Sequence, residues 1–332
     1  MIFISLIALV FIVAACGSEK GAEGDSPKKV SGIVPLYSPD SGGTNYVISA
    51  GISQIFNSSK VMPEVLLSTE SISGSTQIIS SVIDRYEQGK PAFGAPASDI
   101  ATYIYNGEYE PLPGEHKELR AVTWFNYAAV HVVVPEKSSI QSLADLKGKK
   151  IGVAPKGSSP YNFMESLLRG GYDLSIEKDL KAIPLGNSEI NEGLQNGSID
   201  AGILTGFIPA PLVKEISQLD SVRIISFEKD ILAEFIANNP YYSAMDVKAG
   251  TYRNQDEDIT IGAFETLLLT HEDVDEELVY NLTKFILENE SELKKIHEAF
   301  SISPDNVSRG VEIPFHSGAE KYFKEKGISY EK

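Results

Sequence analysis

The amino-acid sequence predicts an α/β protein of two lobes, each built on a parallel sheet, joined by two crossing strands. Three observations predict it. Short β-prone runs alternate with helical stretches, the pattern of a parallel sheet covered by helices. The turns from strand into helix are rich in Gly, Ser, Thr and Asn. Two long apolar strands, over 127–135 and 259–270, interrupt the alternation far apart in the chain, as strands that pass between lobes would.

The elements follow in order. Residues 2–15 form an uncharged apolar run that closes on small residues before Cys16, the only cysteine. That is the pattern of a secretory signal, and the run is shorter than the roughly 20 apolar residues a membrane span needs. Val13-Ala14-Ala15-Cys16 resembles the bacterial lipobox, in which the cysteine is lipidated and becomes the new N-terminus. One departure is that no Lys or Arg precedes the run. We therefore read 1–15 as a lipoprotein signal, Cys16 as the lipidation site and 16–31 as a flexible tether. Strands are expected over 30–38 and 63–69, and the turns after them open onto helices over 46–57 and 77–87. A third strand covers 91–99. Beyond the first crossing strand come a strand over 149–155, helices over 161–169 and 188–195, and a strand over 199–206. The C-terminal part is helical, with Leu278, Val279, Leu282, Phe285 and Ile286 at helical spacing. Lobe 1 is expected at 32–134 plus 258–332, and lobe 2 at 135–257.

The chain has 332 residues, room for about two domains once the signal is removed. Its net charge of −17 argues against nucleic acid, whose phosphates need a basic surface, and against docking on anionic lipid. With Cys16 used for the anchor, no cysteine is left for a disulfide or a thiolate metal site. A chain of this size buries enough core without one.

Ligands of open α/β sheets bind at the carboxyl ends of strands. Here those ends carry Ser41-Gly42-Gly43-Thr44-Asn45, Ser73-Gly74-Ser75-Thr76 and Gly157-Ser158-Ser159, each just before a helix. A helix N-terminus offers unpaired N–H groups and the positive end of its dipole, which suits a carboxylate. The same residue types also serve as plain N-caps and tight turns. Three such loops in matching positions favour a shared cleft. Gly43, Thr44, Asn45, Ser73, Ser75, Ser158, Ser159 and Thr205 are the polar candidates, and Tyr46, Tyr161 and Phe207 the apolar walls, with core packing as their other role. Asp99 is placed to meet an ammonium group or to cap the helix after it. No arginine falls in the three loops, so a carboxylate would rest on amides, hydroxyls and Lys156. Catalysis finds no support: there is no GxSxG, HExxH or Walker loop, and the five histidines have no ligand spacing. No cofactor and no metal are expected.

Several segments resemble the TAXI family of solute receptors, which serve TRAP (tripartite ATP-independent periplasmic) transporters. They are SGGTNYVISAG, SSIQSLADLKGKKIGVAPKGSS, IDAGILTGFIPAP, AGTYRNQDEDI and IPFHSGAEKYFKEKG, collinear over about 32–328. The resemblance implies a type II periplasmic binding protein-like fold closing on a small acid such as glutamate, glutamine or 2-oxoglutarate. It also implies delivery to an ion-coupled TRAP permease; with Cys16 as the anchor, the receptor is expected as a monomer on the outer face of a bacterial membrane. The three loops depart from the family pattern. Asn45 and Val47 replace Tyr and Pro of Gly-Gly-x-Tyr-Tyr-Pro. The usual Ser-Thr-Gly-Gly-Ser is drawn out to Ser68–Ser75, and Ser159-Pro160 stands in place of Gly-Thr. An ABC permease as partner and a sensory, ligand-presenting lipoprotein are the competing readings.

Overall fold

The computed structural model describes residues 30–39, 43–219 and 222–330. The proposed signal, Cys16 and the loop residues Ser41 and Gly42 lie outside the described residues. Val30, assigned to the tether, packs half-buried on the first lobe's core.

Three β–α units open the chain: β1 (Gly32–Ser38), α1 (Thr44–Ser59), β2 (Val65–Ser71), α2 (Ser75–Glu87), β3 (Phe93–Gly94) and α3 (Ser98–Asn106). The first crossing strand is β4 (Leu119–Pro135). After it come β5 (Lys150–Val153), α4 (Ser159–Tyr172), α5 (Ile176–Asp179), β6 (Lys181–Pro184), α6 (Asn187–Asn196), β7 (Ala201–Gly206), α7 (Pro211–Leu219), β8 (Val222–Ile224), α8 (Lys229–Ala237) and β9 (Tyr242–Val247). The second crossing strand is β10 (Ile259–His271), and α9 (Glu276–Glu288), α10 (Glu290–Lys294) and α11 (Ser317–Lys326) end the fold.

The strands form one mixed sheet in the order β2-β1-β3-β10-β4-β7-β5-β6, with β8 added to β4 and β9 to β10. Each end is parallel, β2-β1-β3 in the first lobe and β6-β5-β7 in the second. The two crossing strands run antiparallel to each other; β10 is also antiparallel to β3 of the first set, and β4 to β7 of the second. The expectation of purely parallel lobes thus holds for the lobe ends and changes at the crossing. β10 pairs with β9 over its first half and reaches β3 near its end, so it belongs to both lobes. The register of β4 against β10 slips beside Thr266, where Phe125 is the extra residue of a bulge.

The first lobe's core sets α1 and α9 against one face of its sheet. Ile48, Ile52 and Phe56 meet Val34 and Leu36, and Phe56 stands edge-on to Phe285 at 5.3 Å. The acidic stretch before α9 is a helix start: the Asp275 carboxylate accepts from Leu278 N–H. Strand 91–99 shrinks to two residues because Pro96 and the start of α3 take over its end.

Candidate functional site

A cavity of about 530 Å³ lies between the lobes at the carboxyl ends of the parallel strands. Three helices begin at its rim. The N-caps of α1, α2 and α4 are Gly43, Gly74 and Ser158, and none makes a side-chain cap bond. The first intrahelical bonds run from Val47 N–H to Gly43 O, Ile78 N–H to Gly74 O and Asn162 N–H to Ser158 O. The N–H groups before them, on Thr44–Tyr46, Ser75–Gln77, Ser159 and Tyr161, have no carbonyl to meet within their helices. Pro160 lacks one.

Gly74 holds φ 81° and ψ 150°, a conformation open in practice only to glycine. A Cβ there would meet nothing within 4 Å, so the constraint is in the backbone alone. Gly74→Ala is expected to destabilise the protein by about 1–3 kcal/mol, read from urea midpoints.

The structure brings most of the sequence candidates together. Gly43, Thr44, Asn45, Ser73, Ser75, Ser158, Ser159, Thr205 and Phe207 all line the cavity. Ser75 Oγ accepts from Ala97 N–H at 3.0 Å, which leaves its own proton to donate. Ser158 Oγ donates to Pro155 O at 2.6 Å, which leaves it an acceptor. Asn45 is braced from behind: Asn126 Nδ2 donates to its oxygen at 3.2 Å, and its own amide reaches Thr266 Oγ1 at 3.4 Å.

Three candidates are placed otherwise. Tyr46 and Tyr161 are absent from the cavity wall; Tyr161 is buried beside an outer groove with Asn162 and Glu165. Asp99 sits fully buried behind the wall, so it is not placed to meet a ligand's ammonium. Ser159 Oγ donates to it at 2.7 Å and Tyr242 OH at 3.2 Å. Burial raises its pKa to about 6, against the pull of those hydrogen bonds. Lys156 touches the cavity, but its ammonium is paired with Glu177 at 2.5 Å on the exposed side.

Sequence reasoning missed Tyr109, Tyr127, Phe264 and Thr266. Tyr109 OH donates to Gly157 O at 3.0 Å and lies 2.9 Å from Thr76 Oγ1, so it ties the two lobes at the rim. It sits in an irregular loop, where no periodic signal exists. Phe264 and Thr266 are two apart on a strand and share one face, a signal the alternation of β10 did contain.

Two lobes hinged on paired crossing strands, with a solute-sized cavity at the strand ends, define the type II periplasmic binding protein fold. A TctC solute binding protein from Polaromonas has it, at 16% identity and a TM-score of 0.52, over 80% of this chain and 87% of that one. A putative periplasmic sulfonate-binding protein from Methylobacillus flagellatus follows at 17% identity and 0.51, over 82% and 74%. A Xanthomonas citri protein bound to chloride ion gives 11% and 0.54, over 88% and 99%. At such identities the likeness is one of fold. The chain itself belongs to the NMT1-like family, whose profile matches residues 38–327.

Proposed function

We propose that this protein is an exported solute-binding receptor whose lobes close on a small organic acid and present it to an ion-coupled permease of the TRAP type. The observation that carries the reading is the convergence of three helix N-termini, none with a side-chain cap, on one cavity between two lobes. Their free N–H groups and dipoles favour an anion without any arginine. In this reading residues 32–134 with 258–332 form one lobe and 135–257 the other, and they swing about β4 and β10. Thr44, Asn45, Ser75 and Thr205 hold the solute, and the ligand leaves unchanged. The lipobox-like run supports lipid attachment at Cys16, which would keep the receptor, as a monomer, at the outer face of a bacterial membrane.

Thermal unfolding of the ligand-free protein tests it, against glutamate, glutamine, 2-oxoglutarate, C4-dicarboxylates, apolar carboxylates and sulfonates. A true ligand at 100 times its Kd adds about 2.7 kcal/mol, a shift of several degrees. Thr44→Ala and Ser75→Ala are each expected to weaken that ligand by about two- to tenfold, the worth of one hydrogen bond. Unchanged affinity in both would remove these residues from the site.

A further inference from the structure

The lining of the cavity has two kinds of surface. One is the set of helix N-termini. The other is apolar: the Tyr127 ring packs on Phe207 with centroids 5.0 Å apart, and Phe264, Ala95 and Ala128 continue the wall. The Tyr127 hydroxyl is already hydrogen-bonded at the backbone of Ile208.

The charge inventory is just as lopsided. Among the described residues that line the cavity there is no Asp, Glu or Arg, and the only charged side chain is Lys156, which Glu177 holds outside. Arg309 lies 5.9 Å from the Tyr127 ring centroid, but its guanidinium is bound to Glu265 and Ser243. Asp99 has both carboxylate oxygens taken by hydroxyls.

Resting on the receptor reading above, we propose that the solute is a monocarboxylate with an aromatic or branched apolar body. Its carboxylate sits at the N-termini of α1, α2 and α4, and its body lies against Tyr127, Phe207 and Phe264. An α-ammonium group would stand in the positive field of three helix ends with no acid facing it among the described residues. A second carboxylate would have to leave water for an aromatic wall without a counter-charge, a cost far above what its contacts return. The cavity thus selects against both amino acids and dicarboxylates, and Tyr127, Phe207 and Phe264 are the residues that decide specificity.

Calorimetric titration at pH 7.5 with matched probes decides it. 3-Phenylpropanoate and 4-methylpentanoate carry the apolar body alone; phenylalanine and leucine add the ammonium; glutarate replaces the body with a second carboxylate. One of the two apolar acids is expected to bind roughly 100-fold tighter than its amino-acid counterpart and than glutarate. Phe207→Ala is expected to weaken that acid about tenfold through lost apolar contact, and Phe207→Leu to restore most of it. Phenylalanine, leucine, glutarate or glutamate binding as tightly as the apolar acids would overturn the solute class and leave the receptor reading standing. Silence from every carboxylate, in native protein with an intact unfolding transition, would bring down the carboxylate reading with it.

Discussion

Asp99→Asn is expected to make the protein more stable than the native chain at pH 7.5, by up to about 3 kcal/mol, and to lose that advantage toward pH 4. The reason is the raised pKa. Burial moves Asp99 from 3.8 to about 6, and each unit is worth about 1.4 kcal/mol. Between those two values the folded protein binds more protons at this site than the unfolded chain does, so stability falls as pH rises. The contribution of the protonated acid is complete below 3.8 and gone above about 6. Asparagine keeps the size and removes the charge; of the hydroxyls of Ser159 and Tyr242, one goes on donating to the amide oxygen and the other rotates to accept from the amide nitrogen. The other titratable groups facing Asp99 are Tyr103, Tyr241 and Tyr242, which burial holds neutral across this range. Unfolding midpoints of both proteins at pH 4, 5, 6 and 7.5 check it. An equal difference at every pH would mean that the carboxylate titrates normally.

In the proposed receptor the same acid would link closure to protons. Asp99 belongs to the first lobe's α3, while Ser159 begins α4 and Tyr242 begins β9. An open cleft that admits water to Asp99 would return its pKa toward 3.8. Closing would then take up a proton between about pH 4 and 6, and solute affinity would rise as pH falls through that window.

The second large effect is expected at Glu265. This carboxylate lies on β10 with 1% of its side chain exposed. Trp124 Nε1 donates to it at 2.6 Å from the neighbouring crossing strand, and Arg309 Nε donates at 2.9 Å from the C-terminal segment. Arg309 also reaches Ser243 on β9 at 3.0 Å, so the cluster joins both crossing strands to each lobe. Burial raises the Glu265 pKa, and the Arg309 charge opposes that rise. Glu265→Ala is expected to cost about 3–5 kcal/mol, because it opens a cavity and strands the buried indole N–H. Arg309→Ala should cost less, about 2 kcal/mol, since water already reaches the guanidinium, with 36% of its side chain exposed. The double variant should be no worse than Glu265→Ala alone, the mark of a shared interaction. Additive losses in urea unfolding would show that the two residues act separately.

Much of the fold is legible in the sequence. The helix expected at 46–57 is α1 with two residues added at each end, and the one expected at 77–87 is α2 with two added at its front. The strand expected at 259–270 is β10. The shorter second-lobe elements α5, β6, α7, α8 and β9 went unread, because runs of four to nine residues hold too little periodicity to stand out from loops. β4 begins eight residues before the expected strand, since its first half pairs with β10 inside the first lobe.

The site divides along the same line. Hydrophobic period, turn composition and the Cys16 signature are written within a dozen neighbouring residues, so the sequence by itself determined the β–α order, the crossing strands and the three loops at the strand ends. Which side chains reach the cavity depends on residues far apart in the chain. Tyr109 meets Gly157, Asp99 meets Tyr242 and Asn45 meets Thr266 only once the sheet is assembled. Packing then decided that Asp99 faces inward and that Tyr127 and Phe264 form the wall. A lone sequence carries no local trace of contacts made across 48, 143 and 221 residues.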